Sequence, residues 1–152
     1  MVSALLAALH FVAAFGVAAA VFGEWLTLSR TPTYLDARRI QRCDALYGLS
    51  ALAVTAAGLL RVYYFEKGSG FYVANPVFLL KIAAFATAGV LSIYPTMRFI
   101  GWRTATRAGQ APTLSDREFV LLSRILRLEL ALLIVMVVCA SFMAKGFGLS
   151  AT

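Results

Sequence analysis

Charged and polar residues are scarce in this sequence. Of its 152 residues, 61% are hydrophobic and only 14% are charged, and the mean hydropathy is +0.82. A water-soluble domain needs a polar face toward the solvent, and this composition cannot supply one. The shortage therefore excludes a soluble globular domain and predicts a single integral membrane unit spanning residues 1–152.

Several signatures of cofactor-binding or disulfide-stapled proteins are missing as well. The sequence has no CxxC, no GxGxxG and no Walker loop, and His10 is its only histidine. Its two cysteines, Cys43 and Cys139, are predicted to lie near opposite membrane faces, so we expect no disulfide between them. The first apolar run lacks the basic flank of a secretory signal and is too long for one, which favours a retained span.

Acidic residues are too few to balance the basic ones, so the formal net charge is +7. The basic residues lie between the apolar runs, where membrane orientation and anionic lipid headgroups explain them better than nucleic acid does. The predicted partner is therefore membrane lipid, with no nucleic acid.

Long apolar runs are abundant. Four segments reach the roughly 20 residues that a spanning helix needs, at about residues 4–28, 45–64, 76–99 and 119–144. We predict an all-α integral membrane fold, an antiparallel four-helix transmembrane bundle. Asn75 followed by Pro76 predicts the start of the third helix, and Ser115 with Glu118 predicts a capping box on the fourth.

The distribution of basic residues predicts the orientation. Ten flank the first and third connections: Arg30, Arg38, Arg39, Arg42, Arg98, Arg103, Arg107, Arg117, Arg124 and Arg127. Three flank the other side: Arg61, Lys67 and Lys145. Because cytoplasmic connections are enriched in Lys and Arg, both termini are predicted to lie outside.

This orientation converts sequence position into depth at about 1.5 Å per residue. His10, Arg61, Lys81 and Cys139 are predicted to share one layer, roughly 6–10 Å below the outer surface. Charged groups inside a bilayer cost about 2.5–3.5 kcal/mol even on the lenient insertion scale, so this layer is a candidate site. Lys81 snorkelling outward and His10 acting only as an interhelical hydrogen bonder are the structural alternatives.

A second polar layer is predicted near the cytoplasmic face. Its members are Glu24, Asp44, Arg98, Arg124, Arg127 and Glu129. These side chains are interpreted as structural clips between helices, with Glu24 predicted to pair with Arg127 or Arg124.

Aromatic residues gather beside the outer layer, in the segment "YYFEKGSGFY" that begins at Tyr63. An interfacial aromatic belt accounts for such a cluster. A lid over a flat aromatic ligand is the alternative.

The blocks "RVYYFEKGSGFYVANPVF", "LKIAAF" and "GVLSIYPT" resemble a bacterial family of small four-helix predicted membrane proteins, a domain of unknown function of the DUF2214 type. The resemblance covers nearly the whole chain. It implies a multi-pass protein of the bacterial inner (plasma) membrane, and it brings no activity.

Two further resemblances imply chemistry. "LHFVAAFGVAAAVFGEWLTLSR" is similar to the first helix of the HemJ-type membrane protoporphyrinogen oxidases, and "FLLKIAAFATAGVLS" resembles their third-helix lysine segment. In that family the histidine is associated with b-type haem and the lysine matters for function; the matching positions are His10 and Lys81. The same helix pattern resembles CopD-type copper-resistance proteins.

The last helix departs from the oxidase pattern. That family has Asn-Glu followed by proline, whereas this chain reads "SRILRLELALL", with Glu129 out of register and no proline. Haem binding is therefore a better supported expectation than protoporphyrinogen oxidation.

The leading hypothesis is a haem-associated membrane redox protein that binds haem b at a site in the outer leaflet. Its predicted residues are His10 as metal ligand, Lys81 as catalytic and cofactor-binding residue, and Arg61 as a cofactor-binding residue that holds propionates. The alternative functions are a non-catalytic accessory subunit of a larger membrane complex, and a copper-handling or small transport protein. Assembly into a homo-oligomer or a larger membrane complex is the further partner prediction. Copper ranks lower because the methionines are scattered over different depths.

Overall fold

The computed structural model describes residues 1–65, 72 and 74–147. Four long helices occupy most of them: α1 (Val2–Thr27), α2 (Tyr34–Leu60), α3 (Pro76–Gly101) and α5 (Asp116–Ala144). A π-helical turn, Arg61–Phe65, continues α2, and a short helix α4, Arg103–Arg107, follows α3. All four long helices are long and apolar enough to cross a membrane, and the described part of the chain contains no strand. The predicted all-α four-span class is confirmed.

Helix α2 begins at Tyr34, well before residue 45, where hydropathy placed its start. A capping box explains the extension. The Asp36 backbone N–H donates to Thr33 Oγ1 (3.2 Å), and the Thr33 N–H donates to the Asp36 carboxylate (3.0 Å). These bonds satisfy two N-terminal donors, so a polar sequence can remain helical ahead of its apolar part.

The two predicted helix starts are confirmed. Asn75 caps α3 by accepting hydrogen bonds from the N–H groups of Val77 (2.9 Å) and Phe78 (3.2 Å), with Pro76 in the first turn. Ser115 and Glu118 form a reciprocal capping box at α5.

Small residues bring α1 and α2 into close contact. A Cβ at Gly16 would collide with Ser50, one at Gly23 would lie 2.9 Å from Cys43 Sγ, and one at Gly58 would lie 3.3 Å from His10 Cε1. Without those methyl groups the two backbones can approach, as is common between membrane helices. Helix α3 packs mainly on α5, whereas α2 and α3 contact each other sparsely.

The bundle has two unlike ends. We call the end with the α1–α2 and α3–α5 connections the connection end, and the opposite one the terminus end. The larger core cluster lies at the connection end and contains Val21, Leu28, Ala37, Ile40, Phe99, Trp102, Leu122 and Leu126. The smaller cluster lies farther toward the terminus end and contains Ala13, Val17 and Val54.

Interhelical polar contacts add to the connection end. Arg98 forms an ion pair with Glu118, and Arg30 with Asp116. The Gln41 side chain donates from Nε2 to the backbone oxygen of Phe99 (2.9 Å). These contacts tie α2 to α3 and the α1–α2 connection to α5.

Candidate functional site

His10 lies half-buried between α1 and α2, near the terminus end. Its Nδ1 is 3.1 Å from the Val54 backbone oxygen. Because a carbonyl oxygen can only accept, this contact places a proton on Nδ1. The ring rests against Gly58, which leaves room for it.

Lys81 and Arg61 are also half-buried, on α3 and on the π-helical turn. Cys139 is buried on α5, and both cysteines are free thiols. His10, Arg61 and Lys81 do not line either of the two spaces described below. The outer-layer site therefore stays a prediction.

The aromatic segment is only partly described. Tyr63 and Tyr64 are exposed, as an interfacial belt requires. Residues 66–71 of the predicted lid lie outside the described residues.

The most distinctive polar feature lies in the other layer. Glu24 on α1 and Glu129 on α5 are buried inside the bundle, with 3% and 1% of their surface exposed. The Oε1 atom of each has no hydrogen-bond partner among the described residues. Asp44 on α2 lies with them and accepts a hydrogen bond from Thr96 Oγ1 on α3 (2.6 Å). We call Glu24, Asp44 and Glu129 the carboxyl cluster.

The predicted ion pair of Glu24 with Arg127 or Arg124 is wrong. Both arginines are exposed on α5, and Arg127 Nε donates to the Ser123 backbone oxygen (3.0 Å). The ion pairs in the described part of the chain join other residues. Glu129 and Glu24 lie on the buried faces of their helices, whereas the long arginine side chains extend outward, as amphipathic cations do at a membrane interface.

Two neighbouring spaces lie beside the carboxyl cluster. A narrow cleft, too small for a water molecule, is lined by Glu24, Asp44, Tyr47, Ser92, Pro95, Thr96 and Glu129. A cavity of about 100 Å³ lies toward the membrane centre and receives residues from all four long helices. Tyr47, Ser92 and Glu129 line both spaces, so the cleft and the cavity are neighbours.

Pro95 adds an unusual backbone feature to the cleft. It lies inside α3 and is buried. Proline has no N–H, so the Leu91 carbonyl receives no helical hydrogen bond from residue 95. A backbone acceptor is thus released on α3 within one turn of the cleft.

A buried carboxylate without a cation is electrostatically costly, because its negative charge has lost hydration and gained no ion pair. A proton removes that charge with no further ligand. Metal binding requires several converging ligands, and the described residues contain no group of three or more His, Cys, Asp or Glu side chains arranged to hold an ion. The arrangement is therefore suited to proton exchange.

The spacing along the sequence predicted that Glu24, Asp44 and Glu129 share one layer, but we interpreted them as structural contacts between helices. The available signal was the position of Glu129 in "LELALL", where apolar residues surround a lone carboxyl. Sequence spacing did not show that the nearby arginines face outward.

The helices and the buried charges define a small multi-pass membrane protein in contact with lipid. Residues 2–148 match the family model described as "Predicted membrane protein (DUF2214)", and the chain belongs to that family. No curated protein and no solved structure matches the chain.

Proposed function

We propose that the chain is a small transport protein of the bacterial inner membrane whose carboxyl cluster binds and releases protons. The observation that carries the proposal is the burial of Glu24 and Glu129, each with one carboxyl oxygen that has no hydrogen-bond partner in the part of the chain that the structure describes. Ionisable groups that face a bundle interior commonly mark proton or substrate paths in membrane proteins.

The position of the cluster supports a transport role rather than a structural one. Glu24, Asp44 and Glu129 come from three helices, and Glu129 lines both the cleft between them and the cavity toward the membrane centre. The sparse contact between α2 and α3 leaves one side of the bundle less tightly closed. A structural clip would instead pair each carboxyl with a cation.

Infrared difference spectroscopy between acidic and alkaline samples tests the proton-binding step. The wild-type protein in lipid should show carbonyl-stretch bands from carboxyl groups that gain and lose protons. Glu24→Gln and Glu129→Gln should each remove part of that signal, whereas Asp116→Asn, which removes an exposed carboxyl, should leave the buried-group bands in place. Spectra of both buried variants identical to wild type would contradict the proposal.

The transport role needs a second measurement. Proteoliposomes with an internal pH dye should show protein-dependent proton movement that falls in Glu24→Gln and Glu129→Gln. The Asp116→Asn protein is again the matched control. Equal rates in all four proteins would remove the cluster from the proton path.

The proposed orientation places the connection end in the cytoplasm. It can be tested in a chain without Cys43 and Cys139 that carries Ala108→Cys, because Ala108 is exposed between α4 and α5. A membrane-impermeant thiol reagent should label this cysteine only after the membrane is opened. Labelling of intact cells would reverse the orientation.

A haem-associated redox protein is the second candidate, and the contact between His10 and Val54 favours it. Ligating histidines usually donate their other ring N–H to a carbonyl or carboxylate, which orients the ring. His10 would be the axial ligand, and Lys81 with Arg61 would hold the propionates; the bound haem would supply electron transfer. Haem content, redox spectrum and melting temperature of the wild type, His10→Ala and Lys81→Met test this candidate.

Haem lost only in His10→Ala would support the ligand assignment, and haem retained there would contradict it. The accessory-subunit alternative predicts neither haem nor buried carboxyl groups that exchange protons.

A further inference from the structure

The cavity at the bundle centre has an unequal lining that points to a ligand. Most of its wall is apolar and comes from residues such as Val17, Phe85 and Leu133. Glu129 is the one acidic or basic side chain among the described residues that line it. Sites for small molecules combine apolar walls with a few placed polar groups in this way.

The charge of the ligand follows from Glu129. Only 1% of the surface of Glu129 is exposed, and its Oε1 lacks a hydrogen-bond partner in the described part of the chain. An acceptor in this state requires a donor, and a positively charged donor offsets the most electrostatic cost. The ligand should therefore be a cation that carries an N–H group.

The rest of the wall indicates a cation with methyl groups. Tyr47 and Phe85 supply aromatic rings, while Leu133 and Met136 supply apolar contacts. Aromatic rings attract ammonium groups, and the attraction strengthens where water is excluded. A strongly hydrated metal ion would gain little from such walls, whereas the methyl groups of an alkylammonium ion would pack against them.

The size of the cavity limits the ligand. A cavity of about 150 Å³ holds benzene, which has six non-hydrogen atoms. By proportion, a cavity of about 100 Å³ holds roughly four non-hydrogen atoms. We infer that the cavity binds a small methylated ammonium ion, in the range from methylammonium to trimethylammonium, through Glu129.

This inference rests on the proposed function, because the same carboxyl group would bind either a proton or the ammonium ion. Glu24 faces Glu129 from α1, and Asp44 and Tyr47 face it from α2. The described α3 residues at the cavity and the cleft carry no ionisable side chain. Acid should weaken ammonium binding by occupying the carboxylate, and binding at a fixed pH should release a proton.

Titration calorimetry with trimethylammonium chloride tests the site in lipid nanodiscs, with isopropanol as a neutral ligand that has the same number of non-hydrogen atoms. The wild type should bind the cation and not the alcohol. In two buffers of different ionisation enthalpy, the heats should differ because a proton is released. Glu129→Gln should weaken binding at least tenfold, whereas Asp116→Asn, which removes an exposed carboxyl group away from the cavity, should keep it.

A pair of glycine variants separates the cavity from the charge. Gly89 lines the cavity, and a Cβ there would have no atom within 4 Å, so Gly89→Val should add bulk at the cavity wall without a clash at Cβ. Gly48→Val is the control, since its Cβ also meets nothing and Gly48 lies away from the cavity. Only Gly89→Val should weaken trimethylammonium binding.

The outcomes separate the inference from the proposed function. If Glu129 exchanges protons by infrared spectroscopy but no ammonium ion binds, the ammonium site is refuted and the proton role stands. Binding of trimethylammonium that survives in Glu129→Gln, or that is no tighter than the binding of isopropanol, also refutes the ammonium site. If trimethylammonium binds through Glu129 without releasing a proton, the site stands and its coupling to protons does not.

Discussion

The connection end and the terminus end of the bundle solve the problem of buried polarity in different ways. At the connection end, a large core surrounds fully buried carboxyl groups, and the arginines lie outside it in exposed positions or in ion pairs. At the terminus end the core is smaller, and His10, Arg61 and Lys81 are only half-buried. The comparison shows that the number of charges in a layer does not predict their burial; the packing around each charge decides it.

Shortening core side chains should show the largest difference in stability loss between the two ends. Phe99 is fully buried in the connection-end core, and Val54 belongs to the smaller cluster. Phe99→Ala should lower the free energy of unfolding by about 3 kcal/mol, the lower end of the range for such truncations. The loss is at the lower end because exposure to lipid costs an apolar side chain less than exposure to water. Val54→Ala should cost less. Unfolding in mixed micelles measures both, and equal losses would erase the difference between the ends.

Crowding of the α1–α2 contact should have the next largest effect. Gly16→Ala places a methyl group against buried Ser50, and this overpacking should destabilise the protein by about 1–3 kcal/mol. The higher helix propensity of alanine offsets a small part of that loss. Gly48→Ala on the same helix pair meets no atom within 4 Å and should be neutral or slightly stabilising. A Gly16→Ala protein that melts no lower than Gly48→Ala would contradict the close approach.

Neutralising a buried carboxyl should cost little stability, in contrast to breaking a buried ion pair. Glu24→Gln replaces a buried carboxyl group with a neutral amide and should leave the free energy of unfolding unchanged or raise it. Arg127→Gln should change it by no more than about 0.5 kcal/mol, since that side chain is exposed. The double variant should equal the sum of the single variants within about 0.5 kcal/mol. Larger coupling would restore the Glu24–Arg127 pair.

The ion pairs outside the core should also contribute little to stability. Arg98–Glu118 is partly shielded, with 39% and 28% of the side chains exposed, whereas Arg30–Asp116 is more exposed. Arg98→Gln should cost about 0.2–1 kcal/mol, less at high salt, and Arg30→Gln should cost less. Melting at two salt concentrations measures the difference, and a larger loss in Arg30→Gln would reverse the ranking.

The sequence predicted the fold well because hydropathy records which segments can lie in lipid. The same signal missed the first part of α2, since the Thr33–Asp36 capping box stabilises a helix without apolar residues. The starts of α3 and α5 were predictable because Asn75 with Pro76, and Ser115 with Glu118, are local patterns with a direct structural meaning.

The candidate site was predicted only as a layer. Depth counting placed Glu24 and Glu129 together, because the rise per residue is constant along a helix. It could not show that Arg124 and Arg127 face outward, which depends on helix rotation and on neighbours distant in sequence. The cavity between four helices was likewise not predictable from any one of them.

The placement of the two buried glutamates also has a consequence for how the chain is made. Of the four long helices, α1 with Glu24 is synthesised first and α5 with Glu129 last. Until α5 is made, α1 lacks part of the protein surface that encloses its carboxyl group, and exposure of a charged group to lipid is unfavourable. Release of the chain from the insertion machinery should therefore cost least after α5 has packed against α1, so the burial of these two glutamates also marks the completion of assembly.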